Sequence, residues 1–147
     1  MTCLECKKKL SVFDYKNAID AFGLELCTQH KIRLEKIVEL YSTPKEAILL
    51  YYGLKEVGMV PMLEWWDGKK SVDIAISRVK LNIEVETEYQ AITHEQAIND
   101  LEDAMHSYKN GFTTIRIPHV LIKYYPKETV KNIQGIVDGL KANIKAI

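Results

Sequence analysis

No stretch of the 147-residue chain is apolar for long enough to cross a bilayer, and the opening residues, MTCLECKKKL, carry no apolar signal core. A soluble, cytoplasmic protein with no membrane partner is therefore expected. Net charge is lacking as well, because 20 Lys and Arg balance 20 Asp and Glu. That balance removes a whole-molecule basic field for nucleic acid, although a local basic groove stays open. No Gly/Ser-rich or Pro-rich linker interrupts the chain, and neither an internal repeat nor a low-complexity segment is present.

Cysteine is absent beyond residue 27, and the three that exist fall into a pattern. CLEC supplies Cys3 and Cys6, and CTQH supplies Cys27 and His30. CxxC followed by CxxH is the spacing with which two short turns deliver four ligands to a tetrahedral Zn²⁺. An odd thiol count without secretory features argues against a disulfide. Four protein ligands leave no open position for a substrate, so the expected role is structural, with the metal holding a segment too short to build its own core. The helical pattern in TQHKIRLEKIVELY, with Thr28 as its cap, then carries the chain onward. The zinc module and this helix are expected over 1–41. A module of this kind also offers a surface for a protein partner or a homodimer.

The rest, 42–147, reads as one α+β domain: helix, three strands, helix, strand, helix. Thr43, Pro44 and Glu46 form a helix-start signature, with Gly58 as the stop. VPMLEWWDGKKSVDIAIS reads as two strands around a turn at Asp67 and Gly68, and LNIEVE as a third strand. THEQAINDLEDAMHSYKNG is an amphipathic helix capped by Thr93 with Gln96 three residues on, FTTIRIP is a fourth strand, and a helix from Pro126 to Lys145 turns Val130, Ile133, Val137, Leu140 and Ile144 inward. A helix joining the third strand to the fourth makes those two parallel.

The alternation of LNIEVE puts Glu84 and Glu86 on one face, and pairing through SRVK allows Asp73 of SVDIAIS to join them. Three carboxylates on one side of a sheet suit a hard cation such as Mg²⁺ or Mn²⁺ and, with bound water, phosphodiester hydrolysis. The same alternation equally describes the solvated polar face of a half-exposed sheet.

SVDIAISRVKLNIEVE resembles the core of the PD-(D/E)xK nuclease superfamily, in which an Asp on one strand is followed on the next by an acidic residue, any residue and usually Lys. The order of elements, the helix in TPKEAIL and the strand in GFTTIRIP are similar to the DUF559-like and very-short-patch-repair-like branch. The resemblance covers roughly 42–147 and not the zinc module. It implies a restriction-endonuclease-like core of about four strands flanked by helices, and a Mg²⁺- or Mn²⁺-dependent endonuclease acting on DNA. Asp73 and Glu84 would be the metal ligands, Glu46 the acidic residue of the first helix, and Gln96 and Arg116 accessory residues facing nucleic acid. Asp100 falls where relatives often carry a polar residue. Glu86 stands where Lys is usual, and is expected to act on metal-bound water as a base or outer ligand. Relatives with an acidic residue there include both active and inactive members, so the alternative implied is an inert nucleic-acid-binding or adaptor module. His94, His106 and His119 are further bases in principle, and Tyr89, Tyr108, Tyr124 and Tyr125 are candidates to pack on bases.

Overall fold

The structure, a computed structural model, describes residues 1–87 and 93–145. It divides into two compact units, Met1–Lys45 and Glu46–Ile147, whereas the sequence placed its boundary between 41 and 42.

In the first unit, an isolated antiparallel bridge between Thr2 and Lys9 closes a tight turn, with Lys7 in the left-handed region at φ 62°. Helix α1 (Val12–Phe22) was not anticipated, although its start is written in the sequence: Ser11 accepts a hydrogen bond from the Asp14 N–H at 3.1 Å. It ends where Gly23 adopts φ 70°. In α2 (Thr28–Tyr41) the cap position belongs to Cys27, not Thr28, whose hydroxyl instead donates to Asp14 Oδ1 at 2.7 Å. Leu34 is the buried residue of that helix, while Ile32 and Leu40 are exposed.

The second unit is a mixed α+β fold. Helix α3 (Lys45–Glu56) starts one residue beyond Pro44, and the chain leaves it through Gly58 at φ 89°. Strands β1 (Met62–Trp66), β2 (Ser71–Ile76), β3 (Leu81–Glu86) and β4 (Thr113–Pro118) form one sheet in the order β1-β2-β3-β4. The first two pairings are antiparallel, and β3 lies parallel to β4, as a connecting helix requires. That helix is α4 (His94–Lys109); Thr93 and Gln96 complete both halves of its capping box. A short α5 (His119–Tyr124), missing from the sequence reading, precedes α6 (Pro126–Lys145).

The core lies on one face of this sheet. Leu50 and Leu54 of α3, Ile74, Ile76, Leu81, Ile83 and Val85 of the strands, and Val130, Ile133 and Val137 of α6 form a single buried cluster. Helices α3 and α6 approach closely enough that a Cβ added at Gly53 would stand 3.1 Å from Val130 Cγ2. Leu140 is partly buried against the cluster and Ile144 is exposed, so the inward stripe of α6 ends a turn earlier than its periodicity implies.

Helix α4 reverses the usual polarity. Asp103, His106 and Ser107 are its sheltered residues, whereas Ile98, Leu101, Met105 and Tyr108 point to solvent. Truncating Ile83→Ala should therefore cost about 2–5 kcal/mol, and Leu101→Ala less than about 0.5 kcal/mol, in urea unfolding of the full chain. Comparable costs would mean that α4 presents its apolar side to the sheet.

Candidate functional site

The four sequence-predicted soft ligands come together in the first unit. Cys3 and Cys6 sit in the turn closed by the Thr2–Lys9 bridge, where the Cys3 N–H donates to the Lys8 carbonyl at 2.8 Å. Cys27 and His30 occupy the cap and first turn of α2. All four ligand atoms lie within 4.8 Å of one another. Cys6 Sγ is 3.9 Å from Cys27 Sγ, and Cys3 Sγ is 3.6 Å from His30 Nδ1. A tetrahedron with metal–sulfur bonds of ~2.3 Å and metal–nitrogen bonds of ~2.0–2.1 Å has edges of about 3.6–3.8 Å. The third contact, Cys27 Sγ to His30 Nδ1 at 3.1 Å, is shorter. Burial opposes ionisation of Cys3, but the backbone N–H groups around it outweigh that and bring its pKa down to about 6. Burial and the adjacent thiols hold Cys27 up. The set can hold a metal ion such as zinc. Among the described residues it is the one group of three or more His, Cys, Asp or Glu side chains gathered in this way.

In the second unit the acidic residues arrange differently from the expected triad. The β2–β3 register ends at Ile74↔Ile83; one step further, Asp73 and Glu84 face each other. There the Val85 N–H donates to Asp73 Oδ2 at 2.8 Å. Burial raises both pKa values; the Glu64 charge adds to the rise at Asp73, and the Asp73 charge to that at Glu84. Glu86, by contrast, is exposed at the end of β3 opposite Pro118, so the close pair is Asp73 with Glu84 alone.

Two residues that the sequence did not single out complete this cluster. Glu64 of β1 accepts a hydrogen bond from Ser71 Oγ at 2.6 Å and reaches Asp73 by charge. Lys70, at the end of the β1–β2 turn, places Nζ 3.0 Å from Glu84 Oε1. The two form an ion pair around an oxygen that is shielded from water. The turn that delivers Lys70 is well defined: Asp67 Oδ1 accepts the Lys69 and Lys70 N–H groups at 2.8 Å each, and Gly68 takes φ 98°. Helix α4 braces it, with Lys69 Nζ 2.9 Å from Asp103 Oδ1 and His106 Nε2 3.1 Å from the Asp67 carbonyl oxygen. A turn lysine has no fixed spacing from the strand acids, which is why no motif discloses it.

The remaining predicted residues spread around the domain. Arg116 is the β4 neighbour of Glu84 across the parallel pair, on the same face and exposed. Glu46 stands 3.8 Å from His119 Nδ1. Gln96 is engaged by its Oε1 in the capping box, and Asp100, His94, Tyr108, Tyr124 and Tyr125 are exposed. Tyr89 lies outside the described residues. Beside Glu84 on its own strand face, Asn82 is fully buried, with Nδ2 3.5 Å from Ser107 Oγ and, among the described residues, no partner at Oδ1. None of the described helices is long and apolar enough to cross a membrane. Comparison with protein-family models, with curated proteins and with solved structures finds no match.

A carboxyl whose folded pKa is raised stabilises the fold fully below its unfolded pKa, and loses that contribution as pH rises through the folded pKa. Asp73 and Glu84 therefore weaken the domain at neutral pH. Asp73→Asn, which keeps the acceptor for Val85, should raise Tm at pH 7–8 without added divalent ion, and the gain should vanish below about pH 4. A pH-independent difference would show that ionisation of the pair is not what the substitution relieves.

Proposed function

We propose that the chain is a metal-dependent DNA endonuclease of the PD-(D/E)xK type that carries a structural zinc ion on Cys3, Cys6, Cys27 and His30. The observation behind this reading is the cross-strand pair Asp73 and Glu84, two half-buried carboxyls with raised pKa values that face each other one step beyond the end of the β2–β3 pairing. Burying two acids together destabilises a protein unless a cation uses them. Their oxygen chemistry suits Mg²⁺ or Mn²⁺. Once bound, such an ion supplies Lewis-acid stabilisation and a water of lowered pKa.

Asp73 is fixed for this role by the Val85 N–H, and Glu84 by its place on the central strand β3. Lys70 brings a positive charge to Glu84 from outside the strand, where relatives would use the Lys now replaced by Glu86. It neutralises the pair before metal arrives, and with metal present it is free to hold charge that develops on a phosphate. Arg116, one strand away and exposed, can take a neighbouring phosphate through its planar fork. Glu86 at the rim acts on solvent-side water or contributes nothing. The inert-module alternative draws on this same substitution, since a site without its strand lysine can bind DNA and not cut it.

Supercoiled plasmid incubated with Mg²⁺ or Mn²⁺ should be nicked by the wild type and left intact by Asp73→Ala. Lys70→Met should lower the rate about 10²- to 10³-fold, as removing one charge-stabilising donor does, while Glu86→Gln tests the rim carboxylate independently. No cleavage under any divalent condition, together with salt-sensitive DNA binding, would establish the inert reading. Elemental analysis should find one zinc per chain, and Cys27→Ser should release it and unfold the first unit. Metal-free protein with a folded first unit would remove zinc from the proposal.

A further inference from the structure

The stripe Ile98, Leu101, Met105 and Tyr108 on α4 is 57%, 72%, 52% and 82% exposed. Scattered apolar residues on a surface need no explanation, but these four recur at intervals of three, four and three, the a/d spacing of a helix seam. The helix cannot turn this stripe inward. Its opposite side is committed to polar contacts, Asp103 to Lys69, His106 to the Asp67 carbonyl and Ser107 to Asn82. Ala97 and Ala104 border the stripe along one flank and are exposed, leaving room for a second helix to approach closely.

We infer that α4 pairs antiparallel with α4 of a second copy of this chain, forming a twofold dimer. The charge distribution selects this occupant and this direction. The amino-terminal half of α4 carries Glu95 and Asp100, Glu102 and Asp103 follow just past its midpoint, and its carboxyl end carries Lys109, with Lys80 Nζ 3.3 Å from the Cβ position of Gly111. An antiparallel pair sets each acidic half against the basic end of the other copy and opposes the two helix dipoles favourably. With the dyad between Leu101 and Met105, Ile98 packs against Tyr108 and Leu101 against Met105 of the other copy. Glu95 then comes opposite Lys109. Glu102 falls near the dyad and meets its own counterpart, the one charge that opposes pairing. This seam does not depend on the nuclease reading.

Sedimentation equilibrium of the full chain tests it, carried up to about 0.5 mM because seams smaller than ~800 Å² per partner give weak dimers. The wild type should show a monomer–dimer equilibrium. Leu101→Glu and Tyr108→Lys, both at exposed positions, should each raise Kd at least about tenfold with unchanged circular dichroism. Lys109→Glu should weaken the dimer about threefold and Glu95→Lys should restore it in the double variant, while Glu102→Gln should tighten it. A wild type that stays monomeric throughout overturns the proposal. So does a dimer indifferent to both Leu101→Glu and Tyr108→Lys, which would place the seam elsewhere. Wild-type protein that remains monomeric yet floats with anionic phospholipid vesicles would assign the stripe to a lipid surface instead.

Discussion

Two half-buried carboxyl groups side by side determine much of the second unit. Asp73 and Glu84 cannot both ionise cheaply where burial and mutual charge raise their pKa values. Everything near them answers that constraint with polarity. The Val85 N–H turns to Asp73, Lys70 reaches back to Glu84, and Ser71 occupies Glu64. A sheet face furnished in this way cannot serve as an apolar platform, so the core collects on the other face, between the strands and the pair α3 and α6.

The polarity of α4 follows from the same cause. A crossover helix must return along the sheet, and here the surface it meets contains Asn82, Glu84 and the Asp67–Lys70 turn. Only polar side chains can satisfy such a surface, and Asp103, His106 and Ser107 do so. The apolar residues of an amphipathic helix are then left outward by geometry, as Ile98, Leu101, Met105 and Tyr108 are. The acid pair and the exposed stripe are thus two ends of one chain of consequences running through the thickness of a single helix.

What the sequence disclosed, and what it hid, divides along physical lines. CxxC with CxxH was legible because ligand spacing is local: each pair is set by one turn, and closing the set needs only that the two turns meet. The strands and their alternation were legible because Asp67 and Gly68 mark the turn and the acids interrupt apolar runs at period two. The direction of α4 was not, since periodicity shows that a helix has two faces and not which one the protein hides. Lys70 was hidden because the distance from Nζ to Glu84 depends on a turn folding back and a long side chain reaching across. Helices α1 and α5 went unread because one announces itself by a Ser11 cap alone and the other spans just His119–Tyr124.

The two units gather their titratable side chains in two different kinds of order. In the first unit the ligands are sulfur and imidazole, closed on one another, with a lowered Cys3 pKa that favours thiolate. Such a site fixes local structure and excludes substrate. In the second unit the paired groups are two carboxyls, with Arg116 exposed on the neighbouring strand and the turn lysine Lys70 held against Glu84. If the pair holds a cation as proposed, two carboxylates would leave coordination positions for water and phosphate, as hydrolysis needs. The local cost of Asp73 and Glu84 is met by the core beneath them, where Leu54, Ile74 and Ile83 are wholly buried. A strand that packs against that core on one side and presents the acid pair on the other keeps Asp73 and Glu84 in place without letting them relax apart, and that rigidity is what a preorganised site would require.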